Sequence, residues 1–194
     1  VDVFDAVDHD RTAVIVTSDH GEHFGEHNRF GHQYSLFEEL LHVPLIVDTP
    51  TNSKSTIESP VELQDLYNFI LSVAKDGSGQ LESRDRTIAE LHAPHPDIDY
   101  LSEKADGGVR PFVDEYAEGA RSITKGENKV VEIQDGTTKF FKLSDEGTDI
   151  ASGNPSRVAD LRNEIYQKLG EFHGRQLAEF DISPATERQL EDLG

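Results

Sequence analysis

Hydrophobic and polar positions alternate in blocks over the first 50 residues. Two runs rich in β-branched residues, Ala13–Val16 and Val43–Val47, have the length and composition of buried strands. Between them, Tyr34–Leu41 places apolar side chains at helical spacing and predicts a short amphipathic helix. A strand, a loop, a helix and a second strand in this order are typical of parallel sheets. The pattern therefore predicts a parallel α/β sheet whose first strand is Thr12–Thr17.

A capping pattern predicts a second helix further along the chain. Ser59 is a suitable N-cap, Pro60 suits the first helical position, and Glu62 completes a capping box. We expect this helix to reach Ala74. Its apolar side chains are expected to face the core: Leu63, Leu66, Tyr67, Ile70 and Leu71.

After this helix the pattern changes to short strands. One is expected at Thr87–Leu91, before an exposed excursion over residues 92–108. Three more are expected at Arg121–Thr124, Lys129–Gln134 and Lys139–Leu143. The last two flank Asp135-Gly136, a hairpin turn signal. A final helix is expected to start at Asn154-Pro155, with one apolar face made of Val158, Leu161, Ile165, Leu169 and Phe172.

The change of pattern along the chain predicts two units. Residues 1–110 are expected to form the α/β part, and residues 111–194 a small α+β subdomain with antiparallel strands. A chain of 194 residues is long enough to bury a hydrophobic core in such a fold.

Charge is the most unusual bulk property. The chain has 38 acidic and 18 basic residues and a formal net charge of -20, so nucleic acid is not an expected partner. It has no Cys, which excludes disulfides and thiolate ligands. No apolar run reaches the length of a membrane span, and residues 1–10 lack the features of a secretory signal. Because salt screens charge repulsion, we expect a protein of the cytoplasm of a salt-adapted organism; the alternative is an ordinary acidic protein.

The candidate chemistry lies directly after the first strand. Five of the nine histidines lie in the segment 12–50, namely His20, His23, His27, His32 and His42. Asp19 and His20 follow the end of the strand, where ligands bind in open α/β sheets. A carboxylate and an imidazole there could hold a divalent cation. The alternative is a polar pair that only caps the next turn.

Two more histidines lie in the glycine-rich loop that follows. His27 and His32 could bind an anion or protonate a leaving oxygen, or they could be solvated loop residues. Glu22 and Glu26 could orient neighbouring histidines or lie on a solvated face. A second histidine pair, in the sequence HAPH at 92–95, contains a proline that prevents helical spacing, so we do not expect a metal site there.

Several motifs in this order resemble the C-terminal signature of the sulfatase family, in the alkaline phosphatase superfamily. They are TSDHGEHFGEH, FGH and SLFEELLHVPLIV within residues 17–47, then SPVELQDLYNFIL, RSITKGENKVV and DGTTKFFKLSDE. The resemblance covers most of the chain. It implies part of an alkaline-phosphatase-like three-layer sandwich, followed by the small α+β subdomain.

The resemblance also implies roles for single residues. Asp19 and His20 match the metal ligands at the strand end of the family. His32, after Gly31, stands where many members have a lysine that contacts the sulfate. The cation in sulfatases is usually Ca²⁺, whereas relatives with Asp-His often take Mn²⁺ or Zn²⁺.

One departure from the family concerns the nucleophile. In the family a C/S-x-P-x-R motif supplies it, far N-terminal of the stretch that matches here. Residues 153–157 only mimic this pattern, with Gly at the nucleophile position and in the wrong region, and we interpret them as a helix start. The first hypothesis is therefore the C-terminal part of a metal-dependent hydrolase of sulfuric or phosphoric esters, with little activity by itself. The second is an inactive, truncated module that binds a metal or a partner, either the missing N-terminal half or a second copy.

Overall fold

The structure, a computed structural model, describes residues 7–32, 35–51, 56–92 and 119–172. The strands are β1 (Val14–Thr17), β2 (His23–Phe24), β3 (Phe30–Gly31), β4 (Leu45–Asp48), β5 (Thr87–His92), β6 (Gly119–Lys125), β7 (Asn128–Ile133) and β8 (Thr138–Lys142). The helices are α1 (Glu38–Leu41), α2 (Asp65–Asp76) and α3 (Pro155–Leu169). Among the described helices, none is long and apolar enough to cross a membrane.

The predicted parallel pairing of the first two strands is wrong. β1 and β4 pair antiparallel, with Val14 opposite Asp48 and Thr17 opposite Leu45. A parallel crossover needs a connection that returns along the full strand, usually a helix. The helix predicted at Tyr34–Leu41 is only four residues long in the structure, which gives a rise of about 6 Å. It is too short to carry the chain back, so β4 runs in the opposite direction.

The short α1 has a reason in the core. Phe37 has an extended backbone and acts as the N-cap, so the helix cannot begin earlier. Leu36 is buried and packs with Ala120, Val131 and Phe141 of the C-terminal sheet. Leu36 therefore belongs to the core of the C-terminal sheet and not to a face of α1. Tertiary packing thus overrides the local helical pattern.

The C-terminal part is a four-stranded antiparallel sheet in the order β5-β6-β7-β8. Neighbouring residues of β7 point to opposite faces, because side chains alternate along a strand. Val130 joins the cluster with Leu161 and Ile165 of α3, while Val131 joins the cluster that contains Leu36. The predicted antiparallel strands, the turn at Asp135-Gly136 and the helix start at Asn154 are confirmed.

β5 belongs to the same sheet as β6, although the residues between them lie outside the described part. The boundary predicted between residues 110 and 111 falls in this gap and stays a prediction. The excursion predicted over residues 92–108 also lies outside the described residues, apart from His92 at the end of β5.

The predicted core face of α2 is largely wrong. Of the five predicted positions, only Leu66 is buried, together with Phe69. Four apolar side chains of this segment are instead exposed, by 41 to 68%: Leu63, Tyr67, Ile70 and Leu71. The helix begins at Asp65 and not at Ser59, because Glu62 accepts the backbone N–H of Ile88 and the Asp65 side chain accepts the N–H of Glu62. One hydrogen bond to β5 and one within the segment thus replace the expected capping box.

Candidate active site

The loop that follows β1 is held tightly against α1. The Gly21 N–H donates to the Leu40 carbonyl oxygen at 2.9 Å. A Cβ atom at position 21 would lie 1.9 Å from the Glu39 carbonyl oxygen, so only glycine fits this approach. The hydroxyl of Ser18 donates to the His20 carbonyl oxygen at 2.6 Å. These contacts fix the backbone on both sides of Asp19.

Asp19 and His20 lie together at the end of β1, as predicted from the sequence. The distance between Asp19 Oδ2 and His20 Nε2 is 3.7 Å, and both side chains are exposed. Asp19 Oδ1 accepts the His20 N–H at 3.0 Å. This backbone hydrogen bond is the main cause that lowers the pKa of Asp19, so the side chain is an anion at neutral pH.

The hydrogen bonds of His20 determine its tautomer. His20 Nδ1 lies 2.8 Å from the Gly21 carbonyl oxygen. A carbonyl oxygen can only accept a hydrogen bond, so Nδ1 carries the proton. In the neutral ring Nε2 then has the free lone pair, and this nitrogen faces Asp19. This is the form in which a histidine binds a metal ion.

His32 lies next to His20. Their rings stack with centroids 4.2 Å apart and an angle of 23° between the planes. His32 Nδ1 lies 2.9 Å from Glu22 Oε2. The hairpin of β2 and β3 explains this placement, because the pairing of His23 with Gly31 brings residues 22 and 32 opposite each other. One ligand atom from each of His20, Glu22 and His32 lies within 4.8 Å of the others.

His27 belongs to a different group and does not join Asp19 and His20. Its Nε2 lies 3.3 Å from Glu39 Oε1, and its ring stacks on Phe37 with centroids 3.9 Å apart. His27 and Asn28 both have positive φ angles, 53° and 57°, which are uncommon for residues other than glycine. The nearby His23 is buried, and this burial lowers its pKa. The structure therefore separates the two histidines that the sequence suggested as catalytic.

A buried ion network connects α1 to the sheet, and sequence reasoning missed it. Lys129 is fully buried, and its Nζ lies 2.8 Å from both Glu38 Oε1 and Glu146 Oε1. Glu146 Oε2 accepts the backbone N–H of Glu38 at 2.9 Å. An isolated lysine in the strand pattern was the only signal of this network, because its partners lie far away in the sequence.

Similar proteins were found in both sequence and structure. A sulfatase family model matches residues 1–76. Arylsulfatase K of Bos taurus is 40% identical over 175 residues, which cover 80% of this chain and 30% of that protein. A phosphonate monoester hydrolase of Agrobacterium radiobacter has a similar structure, with a TM-score of 0.57 and 20% identity over 82% of this chain and 34% of that chain.

The structure of BT4656 in complex with its substrate, D-glucosamine-2-N,6-O-disulfate, is also similar. Its TM-score is 0.55 at 16% identity, over 81% of this chain and 34% of that chain. At such identities the likeness shows the fold, and it confirms the predicted alkaline-phosphatase-like fold class. The chain spans about a third of the length of these relatives.

Proposed function

Because this chain belongs to the sulfatase family of the alkaline phosphatase superfamily, we propose that it supplies the metal-binding corner of a site that hydrolyses sulfuric esters. Asp19 and His20 are the proposed ligands of a divalent cation. His32 is the proposed contact to the sulfate group. Phosphoric esters are the alternative substrate class, since a phosphonate monoester hydrolase shares the fold.

The observation that carries this proposal is the arrangement of Asp19 and His20. Asp19 Oδ2 and the ring nitrogen of His20 that is not bonded to Gly21, Nε2, lie 3.7 Å apart at the end of β1. Two donors bound to one ion at about 2.0–2.6 Å are separated by about 3–4 Å. The donor set therefore fits a divalent cation, and the Ca²⁺ expected from the resemblance stays a prediction.

The chemistry follows from the charge of a sulfate ester. A bound divalent cation acts as a Lewis acid toward the oxygens of the ester group. Asp19 stays ionised because the N–H of His20 binds it, and His20 keeps Nε2 available because Gly21 holds Nδ1. Because Nδ1 of His32 is bonded to Glu22, only the protonated ring would donate its Nε2–H to a sulfate oxygen, where it would stabilise developing negative charge. The assignment of His27 as a catalytic group stays a prediction.

We assign no nucleophile to the described residues. The segment that resembles the nucleophile motif begins α3, where Asn154 is the N-cap and Pro155 the first helical residue. Its role there is structural. We therefore expect this chain by itself to hydrolyse an aryl sulfate slowly or not at all.

Calorimetric titration with Mn²⁺ and with Ca²⁺ tests the metal site. Asp19→Asn and His20→Ala should each weaken binding at least tenfold. The matched control is a second exposed His–Asp pair, His9 and Asp48, whose side-chain atoms lie 2.8 Å apart. Asp48→Asn should bind the ion as the wild-type chain does. Equal affinities for the Asp19→Asn and Asp48→Asn proteins would refute the proposed site.

A second candidate function is that of an interaction module, favoured by the exposed apolar side chains. Val16 and Ile46 lie opposite each other in β1 and β4 and are 41% and 58% exposed. Tyr67 and Ile70 of α2 add to the exposed apolar surface. Such surfaces often bind another protein chain, and the proposed partners are a second copy or the remaining part of a sulfatase domain. Light scattering of the wild-type chain and of Ile70→Lys tests this, and we expect the wild-type chain to form a dimer that the substitution weakens. If both proteins are monomers and both bind the metal ion, self-association is refuted.

A further inference from the structure

We propose that His32 is a third ligand of the metal site formed by Asp19 and His20, that Glu22 positions it, and that the site prefers Zn²⁺ or Mn²⁺ to Ca²⁺. This inference rests on the proposed function and changes the role of His32 within it. In that function His32 contacts the sulfate, as the lysine of many relatives does. Here its imidazole binds the cation.

The two stacked histidines show the same hydrogen-bond pattern. A metal-binding histidine usually donates its other ring N–H to a carboxylate or to a backbone carbonyl, which fixes the ring and the tautomer. His20 Nδ1 has the Gly21 carbonyl oxygen at 2.8 Å, and His32 Nδ1 has Glu22 Oε2 at 2.9 Å. Each ring therefore keeps Nε2 for another partner.

The position of His32 allows it to share an ion with His20. Their ring centroids are 4.2 Å apart, and one ligand atom from each of His20, Glu22 and His32 lies within 4.8 Å of the others. The approach of Asp19 Oδ2 to His20 Nε2, at 3.7 Å, adds a carboxylate to the two imidazoles.

The chemistry of position 32 distinguishes this chain from relatives with lysine there. A lysine ammonium group is a cation without a lone pair, so it can contact an anion but cannot bind a metal ion. An imidazole can do both. In the structure the His32 imidazole stacks on His20, a proposed metal ligand, and its Nδ1 contacts the Glu22 carboxylate. A metal-binding histidine usually has such a carboxylate partner.

The donor set determines which metal fits. Two imidazoles and one carboxylate suit Zn²⁺, Mn²⁺ and similar transition metals. Ca²⁺ prefers six to eight oxygen ligands, and this group supplies too few of them. The inferred site therefore selects a transition metal over Ca²⁺.

The test compares metal binding by the whole chain and by three variants: His32→Lys, His32→Gln and Glu22→Gln. Calorimetry with Zn²⁺ and Ca²⁺ gives the affinities, and Co²⁺ absorption in the visible range reports nitrogen ligands. We expect the wild-type chain to bind Zn²⁺ at least tenfold more tightly than Ca²⁺. Both His32 variants should lose at least tenfold in Zn²⁺ affinity and change the Co²⁺ spectrum, and Glu22→Gln should lose about tenfold.

The control is again Asp48→Asn, and circular dichroism checks that each variant is folded. Position 32 is exposed, and Gln is close to His in size, so at least that variant should fold. If His32→Lys binds Zn²⁺ as the wild-type chain does, or gains affinity for inorganic sulfate without losing Zn²⁺, the inference is wrong. If His32→Lys keeps its Zn²⁺ affinity but Asp19→Asn still weakens metal binding, the proposed function stands without the third ligand. If Asp19→Asn also has no effect on metal binding, the proposed function and this inference are both refuted.

Discussion

Replacement of Gly21 by alanine should disturb the candidate site without touching its side chains. A Cβ atom at this position would lie 1.9 Å from the Glu39 carbonyl oxygen and 3.2 Å from the Leu40 Cα. An ordinary contact between a Cβ atom and a carbonyl oxygen is about 3.4 Å or more. The loop and α1 would therefore have to separate by about 1.5 Å to accommodate the new Cβ atom. The hydrogen bond from the Gly21 N–H to the Leu40 carbonyl oxygen would be lost or weakened.

The cost can be worked out from these contacts. Overpacking of a tight site costs about 1–3 kcal/mol, and a lost backbone hydrogen bond adds about 0.5–1.5 kcal/mol. We therefore expect Gly21→Ala to lower the free energy of unfolding by about 1.5–4.5 kcal/mol. Because Asp19 and His20 precede position 21 directly, the shift should also weaken metal binding at least tenfold.

Urea unfolding followed by circular dichroism, together with calorimetric titration of Mn²⁺, measures both effects. Gly153→Ala is the matched control, because a Cβ atom there meets nothing within 4 Å and its φ angle is not positive. It should change neither quantity. The reasoning would be refuted if Gly21→Ala were as stable as Gly153→Ala and bound Mn²⁺ with wild-type affinity.

Three further predictions concern charge. Lys129→Met should destabilise the protein by about 3–5 kcal/mol in urea unfolding, because it leaves the carboxylates of Glu38 and Glu146 without their buried cation; an effect below about 1 kcal/mol would contradict this. Arg84 binds Asp65 and lowers its pKa, so the stabilisation from this pair should be present above about pH 4 and lost as the pH falls through the lowered pKa. Asp65→Asn should therefore lose more stability at pH 6 than at pH 3, and equal losses would refute the assignment. The net charge of -20 destabilises the fold by repulsion that salt screens. KCl at molar concentration should therefore raise the melting temperature by about 2–4 °C, and an unchanged melting temperature would contradict adaptation to salt.

Local signals predicted the second half of the fold well. The turn at Asp135-Gly136 connects β7 and β8, and Gly136 has the positive φ angle, 92°, that such turns require. Asn154 and Pro155 begin α3, whose Leu161 and Ile165 are fully buried as their spacing indicates. These elements interact with their neighbours in sequence or present one clear face to the core, so periodicity and turn chemistry are sufficient.

The same signals failed for α1 and α2. Helical spacing over residues 34–41 predicts a helical face that includes Leu36, but this side chain packs into the C-terminal sheet, α1 is short, and β4 is antiparallel to β1. The spacing also predicts Tyr67 in the core, whereas it is 68% exposed. Periodicity shows that an apolar face exists, yet it does not show which other element covers that face.

The sequence by itself determined the local chemistry of this protein: an aspartate and a histidine directly after a strand, followed by a glycine-rich loop that carries further histidines. Only the tertiary structure decided which distant groups join them. It brought His32 and Glu22 to His20 through the pairing of β2 and β3, and it placed His27 against Glu39 instead. The physical reason is that such contacts depend on strand pairing and packing between separate elements, which the spacing of residues along the chain does not encode.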